Sequence, residues 1–143
     1  MDKKVIIYEE DSNIKIVHVA ENINIEKYAT NFLNSIILPF TVIPTNRFYR
    51  NAWSFNDTKT AVIVNMPKAR TIHRDLIRAE RNKHLIPLDV AYMRALERAD
   101  TTAAQEIAAQ KQKLRDIPAH PAIEAAQTPE ELMELTLGKL LTL

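Results

Sequence analysis

Arg70, Arg74, Arg78 and Arg81 are spaced four, four and three residues apart. In a helix that spacing puts all four on one side, because residues three and four apart are neighbours. A row of guanidiniums can neutralise phosphates, and Lys68 and Lys83 extend it. The row also has a plain structural use. Asp75 and Glu80 stand within one helical turn of several of these arginines and can pair with them, leaving a solvated charged face. Upstream, the stretch IPTNRFYRNAWSF sets Arg47 and Arg50 among Phe48, Tyr49 and the only tryptophan, Trp53. Arginine interleaved with aromatics can stack unpaired bases. The same residue types make the hot spots of protein interfaces. No RNA-binding signature accompanies them, so the expected role of Arg47, Phe48, Arg50 and Trp53 is packing, at a junction between two parts of the chain or between subunits.

Other chemistry is poorly supplied. His18, His73, His84 and His120 are scattered, without the i, i+4 pair that shares a metal. There is no cysteine, so thiol nucleophiles, disulfides and thiolate-bound metals are excluded. The single glycine, Gly138, rules out phosphate-cradling loops and a nucleophile elbow, both of which need glycines in series. No nucleophile stands beside a base. The expectation is a non-enzyme with no cofactor and no metal.

The elements that must carry these residues follow from periodicity. Residues 5–8 and 14–19 are β-type runs around a polar turn, EEDSN, which predicts a hairpin. Ile25, Tyr28, Ala29, Phe32 and Leu33 repeat at helical spacing after Asn24, a cap. PFTVIP (residues 39–44) and TAVIVNM (residues 60–66) read as two further strands. Helix dominates afterwards, with predicted segments at about 67–84, 88–99, 102–116 and 129–141. Pro87 separates the first two, Thr102 with Gln105 caps the third, and Thr128 followed by Pro129 opens the fourth. Ile72, Leu76 and Ala79 are expected to line one side of the first, with Ile77 beside them. The fold class is therefore α+β: a module over 1–66, then a helical tail over 67–143. Leu132, Leu135 and Leu140 make the last segment so apolar that it reads as a docking helix for its own chain or a partner.

Charge is uneven. Residues 1–30 carry a net −2, residues 31–88 a net +6 and residues 89–143 a net −3, within a total of +1. A basic middle between acidic flanks suits either an anionic partner or self-complementary packing. No apolar run approaches the roughly 18 residues of a membrane-spanning helix, and the first residues lack a signal-peptide core.

IPTNRFYRNAW, MPKARTIHRDLIRAERNKHLIPLDVAYMRALERAD and IAAQKQKLRDIPAHPAIEAAQTPEEL, taken in order, resemble a family of small proteins encoded near tail genes in tailed bacteriophages and prophages. The resemblance covers about two thirds of the chain, residues 43–132. LRDIP (residues 114–118) also looks like the end of the phage tail assembly chaperone pattern, although the tryptophan of that pattern has no counterpart in the helical part. The resemblance implies a structural component or assembly factor of the tail or tail fibre, in the virion or the host cytoplasm. Its partners would be other tail proteins or further copies of itself. The alternative from another class is a phage regulator binding nucleic acid through Arg70, Arg74, Arg78 and Arg81.

Overall fold

The computed structural model describes residues 3–143 and is an α+β fold. It comprises two compact units, Met1–Ala69 and Arg70–Leu143. Sequence periodicity placed the division at 66/67.

In the first unit, β1 (Lys4–Glu10) and β2 (Asn13–Val17) form an antiparallel hairpin in which Glu10 pairs with Asn13. The two residues between them, Asp11 and Ser12, have φ of 51° and 64°. Positive φ at both positions matches the right-handed twist of the flanking strands. Asn24 caps α1 (Ile25–Ala29) by accepting the Lys27 N–H at 2.9 Å. This helix is shorter than its apolar pattern predicts. The Thr30 hydroxyl donates to the Lys27 carbonyl at 2.7 Å, a local bond that competes with continuing the helix. β3 (Ile36–Pro39) pairs antiparallel with β1, giving the order β2-β1-β3. The strand expected over 39–44 therefore lies earlier. The chain enters a 3-10 turn at Phe40–Val42, directly after Pro39, which has no N–H to give a ladder. A second antiparallel pair joins β4 (Trp53–Phe55) to β5 (Val62–Val64). Sequence reasoning did not foresee β4, because three residues are too few to show a period. The core of this unit is Val5, Ile7, Ile14, Ile43, Trp53 and Val62.

α2 (Met66–Glu97) is one continuous helix, roughly 48 Å long at 1.5 Å per residue. The break expected at Pro87 does not occur. Pro87 lies exposed, so the Lys83 carbonyl that loses its i+4 donor can face water, and helix-forming sequence continues on both sides. The buried side of α2 also differs from expectation. His73, Ile77 and Ala95 are buried, whereas Leu76 and Ala79 are exposed. α2 ends with Ala99 in the left-handed region (φ 53°), where the Asp100 N–H bonds the Ala95 carbonyl at 2.9 Å and the Ala99 N–H that of Leu96 at 3.0 Å. That is a Schellman stop with alanine in the place glycine usually fills.

α3 (Thr101–Asp116) is capped by Asp100, which accepts the Ala103 N–H at 3.0 Å, and not by Thr102. A 3-10 turn (Ile117–Ala119) leads to α4 (Pro121–Ala125). The predicted last helix is two: α5 (Pro129–Met133), capped by Thr128, and α6 (Leu137–Thr142), capped by Thr136. Thr136 takes an extended backbone and turns its hydroxyl to the Lys139 N–H at 3.2 Å, which starts a new helix where the pattern suggested continuity. Among the described residues, no helix is long and apolar enough to cross a membrane.

Candidate functional site

The 114–143 segment is broken into short helices, and every helix end leaves carbonyls without an intrahelical donor. α2 supplies donors from one side. Arg70 Nη2 donates to the Ala126 carbonyl at 2.6 Å. His73 Nε2 donates to the Leu135 carbonyl at 2.7 Å. Arg74 Nε reaches the Pro118 carbonyl at 3.2 Å. Arg81 Nη1 reaches the Arg115 carbonyl at 3.4 Å, the long end of the range. Each acceptor lies in the last turn of α3, in the 3-10 turn, just past α4, or between α5 and α6. The sequence placed these arginines correctly on one helical side. It did not reveal that their targets would be main-chain carbonyls, because carbonyls carry no sequence signal.

The carboxylates divide differently from expectation. Asp75 pairs with Arg78 at 2.8 Å, both exposed, a geometry worth little in water. Glu80 faces Lys83 and His84 instead of arginine. Glu124, which the sequence reading did not single out, pairs with Arg74. The hydrogen bond from Arg74 holds its carboxyl below the ordinary 4.5. Burial lowers the pKa of His73 from 6.5, opposed by the Leu135 carbonyl and assisted by the Arg74 charge. The Leu135 carbonyl requires a proton on Nε2.

Arg74, Arg78 and Arg81 share a cavity of about 470 Å³ with a fourth arginine, Arg115, and with Pro118 and Ala119. Sequence reasoning missed Arg115, whose only signal was its place in LRDIP, a segment that returns to α2.

Trp53 is fully buried and belongs to the core of the first unit. Arg50 lies over its ring at 4.4 Å and Arg47 at 5.3 Å from the centroid. The two cations are near enough that burial and then the Arg47 charge depress the Arg50 pKa. Phe48 meets Tyr49 edge-on at 4.8 Å and stays exposed. The interface expectation for this cluster is thereby corrected at Trp53, whose side chain is enclosed by its own sheets. A flat indole fills a broad gap in a core otherwise built mostly of aliphatic side chains.

Of the two docking alternatives for the last segment, its own chain takes the leucines, and the partner-interface expectation for Leu132 and Leu140 is corrected. Leu132 and Leu140 are 0% and 1% exposed, and Leu135 is half-buried. Splitting the segment into α5 and α6 lets both helices turn leucines inward. Apolar side chains do remain exposed on α2: Ile86 (67%), Val90 (47%) and Met93 (57%), at spacings of four and three. They lie on the opposite side of the helix from Ile77 and Ala95. An open groove of about 720 Å³ on the first unit runs past Tyr8, Phe32 and the carboxylates of Glu9, Glu10 and Asp11. Among the described residues, no three His, Asp or Glu come together as a metal site. The chain matches no family model, no curated protein and no solved structure.

Proposed function

We propose that this chain is a non-enzymatic protein of the bacteriophage tail region, a structural component or assembly factor of the tail or tail fibre that acts by association. The observation that carries association is the apolar row Ile86, Val90 and Met93, on the side of α2 away from its buried face. Exposed apolar residues scattered singly need no explanation, but a contiguous row on one helix face is what helix-in-groove recognition uses. Lys83, Arg94 and Arg98 flank the row on one side. The partner this fits is a tail protein offering an apolar groove with an acidic rim. The tail context rests on the resemblance of residues 43–132.

The test pairs assembly with mass. A phage carrying Ile86→Glu with Met93→Glu should fail to build tails, while the purified variant keeps its helical content and melting temperature. Tails formed normally by that variant would sink the reading. Light scattering at low and high salt, with and without duplex DNA, addresses the nucleic-acid alternative. A mass gain on DNA with a log–log salt slope of roughly −3 to −4 would favour a regulator working through four arginines.

A further inference from the structure

We infer that the open depression lined by Arg74, Arg78, Arg81 and Arg115 is a binding site for a dianionic phosphate group, free phosphate or a terminal phosphomonoester. This stands independently of the association reading above.

Charge is the first ground. Four guanidiniums line the cavity. Two are answered by carboxylates, Arg74 by Glu124 and Arg78 by Asp75, and four less two leaves two positive charges. Among the described residues, neither Arg81 nor Arg115 has a carboxylate partner. A phosphomonoester carries about −1.5 to −2 at neutral pH, which matches the surplus. A backbone phosphodiester carries a single negative charge and matches it less well.

Preorganisation is the second ground. Surface arginines ordinarily lose side-chain freedom when they bind an anion, and that loss cancels much of the gain. Here Arg74 is held through Nε by the Pro118 carbonyl and through Nη2 by Glu124, and Arg81 reaches Asn82 Oδ1 through Nε at 3.3 Å and the Arg115 carbonyl through Nη1 at 3.4 Å. A guanidinium has five N–H donors, so each keeps some to spare. Asp75 occupies Arg78 through Nη1. The Arg115 guanidinium has no hydrogen-bond partner among the described residues, so its whole fork is available. The third ground is access. The four arginines line a depression open to solvent, which leaves room for a substituent on the ester oxygen.

The experiment follows the arginine Nε–H resonances of the full chain by ¹H–¹⁵N spectroscopy at constant ionic strength. The titrants are inorganic phosphate, phenyl phosphate, dimethyl phosphate, chloride and a short duplex DNA. Inorganic and phenyl phosphate should move the Arg74, Arg81 and Arg115 signals saturably. Dimethyl phosphate and chloride should bind at least tenfold more weakly. Removing Arg115 by Arg115→Gln should weaken phosphate by roughly tenfold or more, the scale of one charge-assisted hydrogen bond. Arg115→Lys, which keeps the charge and loses the fork, should fall between. Arg115 makes no side-chain bond that the fold needs, so both variants should melt like the parent. Phosphate shifts that chloride reproduces, an Arg115→Gln variant that binds phosphate unchanged, or a duplex that saturates the signals while inorganic phosphate does not would each overturn the site.

Discussion

Both units place arginines against their interiors, and they engage different kinds of partner. In the first unit Arg47 and Arg50 set their guanidinium carbons over the buried Trp53 ring, 5.3 and 4.4 Å from its centroid. In the second, Arg70, Arg74 and Arg81 turn their edges to main-chain carbonyls. A cation over a ring is held by a broad attraction and leaves no donor count to fulfil. Hydrogen bonding to a carbonyl is directional and answers an acceptor that would otherwise be stranded. The difference comes from what each unit leaves unfinished. Short sheets leave a broad aromatic side chain to be covered. A segment broken into short helices leaves acceptors to be satisfied.

The sharpest way to stress this contrast is to remove what the arginines rest on. Trp53→Ala should cost about 3–5 kcal/mol, since the ring is fully buried in the core, measured by denaturant unfolding followed by circular dichroism. A cost below about 1 kcal/mol would mean that the stacked arginines never depended on a packed ring. Next in size is Arg74→Met, expected to lose roughly 1.5–3 kcal/mol because it strands the Pro118 carbonyl. Arg50→Met should lose less, about 0.5–1 kcal/mol, since a cation–ring contact is removed and no acceptor is left unpaired. Equal losses for Arg74→Met and Arg50→Met would break the distinction between ring and carbonyl partners.

The two units should also respond to opposite ends of the pH scale. Burial raises the Tyr49 pKa from 10.0 to about 12, so above pH 10 the unfolded phenol loses its proton before the folded one does. Stability of the first unit is then lost as pH rises from 10 towards 12, readable from Trp53 fluorescence. His73 titrates below its ordinary 6.5, so the unfolded state gains the proton first. Its contribution is complete above pH 6.5 and is lost as pH falls through the lower folded value, readable from amide exchange in α5 and α6. His73→Gln should flatten the acid limb and leave the alkaline limb alone. An unchanged acid limb in that variant would remove His73 from the account.

Local signals carried the α+β class, the first hairpin, the caps at Asn24 and Thr128 and the one-sided row of arginines, because each depends on neighbours within a few residues. Misreadings came where tertiary contacts outweighed local preference. Pro87 reads as a break, yet α2 absorbs it with one carbonyl left to solvent. Leu132 and Leu140 read as a docking surface for their own chain or a partner, and a split at Thr136 turns both inward on their own chain. Leu76 and Ala79 read as part of the inner face with Ile72 and Ile77, whereas His73 joins Ile77 there and Leu76 and Ala79 are exposed, since a histidine that can donate to the Leu135 carbonyl is worth burying.

What the sequence determined by itself is therefore a set of amphipathic segments, their caps, and arginines in two places. Only the tertiary structure decided what those arginines touch. The four-arginine cavity needs Arg115 from a separate helix, 34 residues beyond Arg81 in the chain. Spacing along one helix fixes which side chains are neighbours, but the partner on another element depends on where the backbone turns, and main-chain carbonyls look alike in every sequence.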